Sequence, residues 1–231
     1  MLYKDKYFSI LGDSISTLEK FTEPYEAAFY RNDEKWEADI FVPEDTWWGQ
    51  VIDTLGGRLL VNNSFSGSKV RRMKGQTYPS YGCSDERTSS LGKYGQSPDI
   101  IIVYMGTNDW ADGRLSTDGD PAKEQDDTIF SVAYRMMLEK LKKNYPNAEI
   151  WCCTLAVSTC KKKKNFEFSF CPGGVHIEKY CEVIRVTAEA HNCRVIDLYN
   201  HPTPYDTIDD YHPNREGMVT LAEAVLSQVK Q

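Results

Sequence analysis

The segment Ile100-Ile101-Ile102-Val103-Tyr104 is apolar at every position, with no alternation that would turn one face to water. A strand of that kind must be covered on both sides, as a central strand of a parallel sheet is. It lies in a run over 99–104, and four more apolar runs of strand length occupy 7–11, 58–62, 149–153 and 194–198. Helix-like stretches separate them. Over 46–55, Trp47, Trp48, Val51, Ile52 and Leu55 recur at the three-and-four spacing of one helical face, with Thr46 placed to cap it. The stretch 128–145 continues the pattern through Ile129, Val132, Met136, Met137 and Leu141, and ends in Lys142, Lys143, Asn144 and Pro146, which suit a helix C-terminus. The stretches 178–191 and 215–229 are helical by the same criterion. Strand and helix alternate five times, which predicts a three-layer α/β/α domain around a five-stranded parallel sheet with helices on both faces.

Two long stretches interrupt the alternation, at 17–45 and 68–97, each after a strand's carboxyl end, where the loops of a doubly wound sheet wall its ligand crevice. The 231 residues contain no internal repeat, Pro/Gly linker or charge block, so 1–231 reads as one domain. Hydrophobic residues at 41% suffice for a core, and a net charge of −7 argues against nucleic acid as a partner. The lysine run 161–164 reads as a solvated loop. Seven cysteines without a C-x-x-C pair leave one over if the rest were bridged, which favours reduced thiols and a cytoplasmic location. The N-terminal residues carry no signal-peptide core, and no apolar run reaches the length of a membrane span.

Chemistry concentrates where strands end. The first strand runs into Gly12-Asp13-Ser14-Ile15-Ser16, the second into Asn62-Asn63-Ser64-Phe65-Ser66-Gly67, and the third into Gly106-Thr107-Asn108-Asp109. A late loop carries Asp209-Asp210-Tyr211-His212-Pro213. Acyl transfer needs a nucleophile, a base, an orienting carboxylate and donors for the oxyanion. Ser14 is the candidate nucleophile and His212 its base, with Asp209 three residues upstream to fix the tautomer. The N–H groups of Ser14 and Gly67 and the side-chain amide of Asn108 are the candidate oxyanion hole, glycine permitting close approach.

These four blocks, in this order, resemble the SGNH (GDSL-like) hydrolases over nearly the whole chain, from Gly12 to Pro213. Gly12 to Ile15 resembles G-D-S-L, 106–109 matches G-x-N-D and 209–213 matches D-x-x-H-P. The second block departs: Ser64 stands where the family often has the first glycine of N-x-G-x-x-G, while Gly67 is kept. The resemblance implies a flavodoxin-like fold, metal-independent serine esterase chemistry and a shallow, open site.

Each element alone has a plainer reading, since Gly-Asp-Ser makes turns and Asn-Asp caps helices. His176, His191 and His201 read as structural or surface residues, with His201-Pro202 the nearest rival to His212. Asp206 and Asp210 lack the three-residue spacing of Asp209, Asp13 is expected to hydrogen-bond locally, and Asp109 to anchor its loop. No metal spacing or nucleotide motif occurs, so no metal or cofactor is expected. Cys152-Cys153 reads as core. Tyr25, Phe29, Tyr30 and Trp36 fit either core packing or a ligand wall, and Tyr78, Tyr81 and Arg87 have no assigned contact. The function expected is hydrolysis of short, acetyl-like esters, with a small-molecule or carbohydrate ester as substrate. The alternatives are acyl transfer at the same site, a non-catalytic binding protein and a flavin binder on the same fold.

Overall fold

The structure, a computed structural model, describes residues 3–22, 27–31, 38–73, 75, 81–115 and 122–229. Tyr25, Trp36 and Tyr78 lie outside the described residues. In chain order the elements are β1 (Tyr7–Gly12), α1 (Trp47–Leu55), β2 (Arg58–Ser64), α2 (Asp85–Ser89), β3 (Ile100–Tyr104), α3 (Thr107–Asp112), α4 (Phe130–Asn144), β4 (Glu149–Cys153), β5 (Ser158–Thr159), α5 (Ile177–Ala190), β6 (Arg194–Ile196), β7 (Tyr205–Asp206) and α6 (Arg215–Val229).

The main sheet has five strands in the order β2-β1-β3-β4-β6, every pairing parallel. A second, two-stranded pairing of β5 with β7 had no signal in the sequence, because two residues are too few for a period. Strand β3 sits at the centre, and its side chains divide between two cores. Ile100, Ile102 and Tyr104 join Phe8, Ile10 and Trp151 under Trp47, Val51, Met218 and Val225 from α1 and α6. Ile101 and Val103 join Leu11, Ile150 and Cys152 under Tyr134, Met137, Leu138 and Ile184 from α4 and α5. The uninterrupted apolar pattern of β3 follows from helices on both faces.

The helix boundaries have local causes. The Thr46 hydroxyl accepts from the Gly49 N–H at 3.0 Å and starts α1, which Gly56 ends at φ 75°. Two short helices, α2 and α3, arise in stretches expected to be loops. Ser84 starts α2 by accepting from the Arg87 N–H at 3.1 Å. All seven cysteines are free thiols, and Cys152 and Cys153 are buried in β4. No described helix is long and apolar enough to cross a membrane.

Gly49 offers a test of packing against propensity. A Cβ there would lie 1.8 Å from the Pro43 carbonyl oxygen, a backbone atom that cannot swing aside. Alanine is the better helix former by about 1 kcal/mol. The clash should nonetheless dominate, so that Gly49→Ala loses about 1–3 kcal/mol in chemical denaturation. Unchanged or raised stability would contradict this packing.

Candidate active site

In the sheet register Gly12 is level with Ser64 on one side and Tyr104 on the other, so the first three blocks leave the sheet at one height. Gly12 must lack a side chain there. A Cβ would stand 2.6 Å from Ser64 Oγ and 2.7 Å from Ser16 Cβ. Ser64, the departure from the family pattern, uses its hydroxyl internally: it donates to Asn62 Oδ1 at 2.5 Å, and Asn62 Nδ2 donates to the Ser16 carbonyl at 2.8 Å. The serine thus ties the end of β2 to the loop carrying Ser14.

Ser14 begins a single 3-10 turn, Ser14–Ser16, whose preceding residue Asp13 accepts from the Ile15 N–H at 3.1 Å. Its Oγ lies 2.8 Å from His212 Nε2, and His212 Nδ1 lies 2.7 Å from Asp209 Oδ2. The other oxygen, Asp209 Oδ1, accepts the backbone N–H of His212 at 2.9 Å and that of Tyr211 at 3.2 Å. With Nδ1–H donated to the carboxylate, Nε2 presents its lone pair to the Ser14 hydroxyl. Burial raises the Asp209 carboxyl, but the bonds and charge from His212 and the two backbone donors outweigh it and hold the group below the ordinary carboxylate value. Asp209 is therefore ionised at neutral pH, as the orienter of an imidazole must be.

The rivals are engaged elsewhere. His176 Nδ1 accepts from the Glu178 N–H at 3.2 Å, His191 Nδ1 faces the Thr187 carbonyl at 2.8 Å, and His201 Nδ1 faces the Thr203 carbonyl at 3.1 Å. Asp206 accepts from the Lys161 N–H and Asn214 Nδ2, and Asp210 pairs with Lys163. The lysine run accordingly binds acidic groups of its own chain through Lys161, paired with Glu216, and Lys163.

Gly67 adopts φ 75° in a turn closed by the Ser68 N–H on the Phe65 carbonyl at 3.0 Å, and no atom of the described residues lies within 4 Å of where its Cβ would be. Glycine is thus required by conformation first. Asn108, in the first turn of α3, spends one side-chain N–H on the Ser68 carbonyl at 3.0 Å. A carboxamide has two such donors, which leaves the second for a ligand. Asp109 anchors the same loop by accepting from the N–H groups of Val70 at 2.8 Å and Arg71 at 3.2 Å.

Sequence reasoning assigned no contact to Arg87. Its guanidinium, 4% exposed, donates to the carbonyls of Gly12 at 2.9 Å and Asn63 at 2.7 Å and to Ser68 Oγ at 2.9 Å. One cation therefore gathers the ends of β1 and β2 and the turn after Gly67. Its only sequence signal is the Ser84 cap that places α2. A second unassigned contact is Phe29, whose ring lies flat on the His212 imidazole, with centroids 3.5 Å apart and planes within 8°.

Residues 6–167 match the family model of the GDSL-like lipases and acylhydrolases. The chain belongs to this SGNH-type family of ester hydrolases. The match contains Ser14, Gly67 and Asn108 and stops short of Asp209 and His212. A Bacteroides uniformis protein assigned to the GDSL-like lipases is 28% identical and shares the fold with a TM-score of 0.73, over 98% of this chain and 96% of its own. A family two carbohydrate esterase from Cellvibrio japonicus, 19% identical, is similar in fold with a TM-score of 0.63, over 100% of this chain and 62% of its own. Cellulase/esterase CelE of Acetivibrio thermocellus is 30% identical over 56 residues, which is 24% of this chain and 6% of that relative's length.

In this SGNH chain burial pushes the Asp13 carboxyl up to about 7, opposed by the bond from Ile15, with Asp109 raising it further and Arg87 lowering it. A carboxyl raised in the fold stabilises it while protonated. That contribution is complete below about pH 4 and is lost as pH rises through about 7. Asp13→Asn stays neutral, so its stability relative to wild type should improve from about pH 4 to about pH 7 in urea unfolding and level off above that. A difference independent of pH would show that Asp13 does not titrate there.

Proposed function

We propose that the chain hydrolyses carboxylic esters through an acyl-enzyme on Ser14. The observation that carries this reading is the relay from Ser14 Oγ to His212 Nε2, 2.8 Å, and from His212 Nδ1 to Asp209, 2.7 Å. In this reading His212 takes the hydroxyl proton as Oγ forms its bond to the ester carbonyl carbon. The carbonyl π electrons move onto oxygen, and the N–H groups of Ser14 and Gly67 with the remaining Asn108 donor receive that oxyanion. Collapse expels the alkoxide, which His212 protonates. Water, deprotonated by His212, then attacks the acyl carbon and Ser14 leaves with its proton restored. Asp209, ionised throughout, stabilises the transient imidazolium and keeps Nε2 facing Ser14.

The substrates proposed are short-chain esters, acetyl above all, with a carbohydrate as the alcohol part. The likeness to a carbohydrate esterase and to a cellulase/esterase supports the sugar. The open exposure of the relay supports a small acyl group, the Asp209 side chain being 42% and the His212 side chain 18% accessible.

Hydrolysis of a p-nitrophenyl ester series from acetate upward, near pH 8, tests both parts. Ser14→Ala should lose on the order of 10⁴-fold or more in kcat with its fold intact, as removal of a triad serine does elsewhere. The wild type should prefer acetate. Equal rates in the two proteins would overturn Ser14 as nucleophile, and an optimum at long chains would overturn the acyl assignment. Acetylated xylan or cello-oligosaccharide releasing no acetate, with p-nitrophenyl acetate cleaved, would overturn the sugar.

A further inference from the structure

Residues 27–31 belong to none of the four sequence blocks, yet two of the blocks are bonded to them directly and a third through Thr17, the residue that follows it. On the Gly67 loop, the Ser66 N–H donates to the Ala27 carbonyl at 2.8 Å. On the Ser14 turn, the Thr17 hydroxyl donates to the Ser14 carbonyl and accepts from the Phe29 N–H, each at 2.8 Å. On the His212 loop, the buried Tyr30 hydroxyl donates to the Pro213 carbonyl at 2.8 Å. Between these anchors the Phe29 ring lies on the imidazole, with Tyr30 edge-on to it at 5.0 Å.

The geometry of the imidazole explains why such a contact matters. Its bonds to Ser14 and Asp209 both lie in the ring plane and fix the ring along the line joining its nitrogens. Neither resists tipping about that line, and the terminal torsion of histidine is a soft, broad one. A flat ring against one face supplies the missing restraint. The need is greatest after acylation, when Ser14 Oγ carries the acyl group and has no proton to offer Nε2. One in-plane bond is then gone, while the imidazole must still hold its place to take a proton from water. Positive charge on the imidazole at each transfer is also favoured by the π face beneath it.

We infer that Phe29 is a positioning residue for the catalytic base: by stacking on His212 it keeps the imidazole in the plane shared with Ser14 and Asp209 through both half-reactions. The 27–31 segment carries that restraint and ties it to the turn holding the nucleophile. The inference rests on the proposed roles of Ser14 and His212. Two other roles for Phe29 predict different outcomes. A wall for substrate would act on KM, and plain core packing would act on stability alone.

The test compares wild type, Phe29→Leu, Phe29→Tyr and Ser14→Ala on p-nitrophenyl acetate, with proton NMR of the His212 ring. Leucine keeps apolar bulk and removes the flat face, so kcat should fall about 10- to 100-fold with KM within about twofold of wild type. Tyrosine keeps the face and should stay within about threefold in both constants. The His212 ring protons should be shifted upfield by the stacked ring in wild type and Phe29→Tyr, and lose that shift in Phe29→Leu. If Phe29→Leu does not fold, Tyr30→Phe, which removes only the hydroxyl on Pro213, should lower kcat about threefold or more at unchanged KM. Wild-type kcat in whichever of these two variants folds, a loss carried by KM, or equal impairment by Tyr and Leu would overturn the inference. Activity lost in Ser14→Ala with Phe29→Leu unaffected overturns this inference alone, whereas activity persisting in Ser14→Ala overturns the reading beneath it as well.

Discussion

A parallel sheet delivers the carboxyl end of every strand to one edge, and the site of this chain exists because of that constraint. Gly12, Ser64 and Tyr104 are neighbours in register, so the polar residues that follow them start from a common height. The remaining contact spans 198 positions in sequence, from Ser14 to His212. It is closed by the loop before α6, a helix packed beside α1 on the same face of the sheet.

Convergence of so many strand ends leaves carbonyls and carboxylates crowded beneath the site, and two arginines offset this. Arg87 answers the carbonyls of Gly12 and Asn63, and Arg71, 3% exposed, pairs with Asp112 and lies 3.8 Å from Asp109. A buried guanidinium needs partners for its donors, and most of those of Arg87 are met by Gly12, Asn63 and Ser68, while the Nε of each arginine has no hydrogen-bond partner among the described residues. The compensation is incomplete. Asp13 Oδ2 is buried with no partner among the described residues, and the carboxyls of Asp13 and Asp109 both rise to about 7, burial being the chief cause for each. Ionising either carboxyl at that depth costs stability, and Asp13 adjoins Ser14 in the chain.

The parts of this architecture legible in the sequence are those encoded over short distances. Five apolar runs, the Thr46 cap and the three-and-four pattern of α1, α4, α5 and α6 each depend on residues within a few turns of one another. The Asp209 and His212 spacing is local too. Arg87 was not legible, because a five-residue helix has no measurable period and an arginine in an exposed-looking S-D-E-R stretch gives no sign of burial. Phe29 was open between core packing and a ligand wall. Its actual neighbour, His212, lies 183 positions away in sequence, so their contact depends on where the fold places the loop before α6. At Gly67 the sequence suggests a glycine for close approach, whereas a positive φ is what the turn demands first.

The central claim is that Ser14 alone among the serines is activated for attack on an acyl centre, and covalent trapping addresses it without any assumption about substrate. Intact-mass spectrometry of the protein treated with a fluorophosphonate should show a single adduct that peptide mapping places on Ser14 and that is absent from His212→Ala under the same exposure. No adduct on the wild type, an adduct on another residue, or undiminished labelling of Ser14 without His212 would contradict the account.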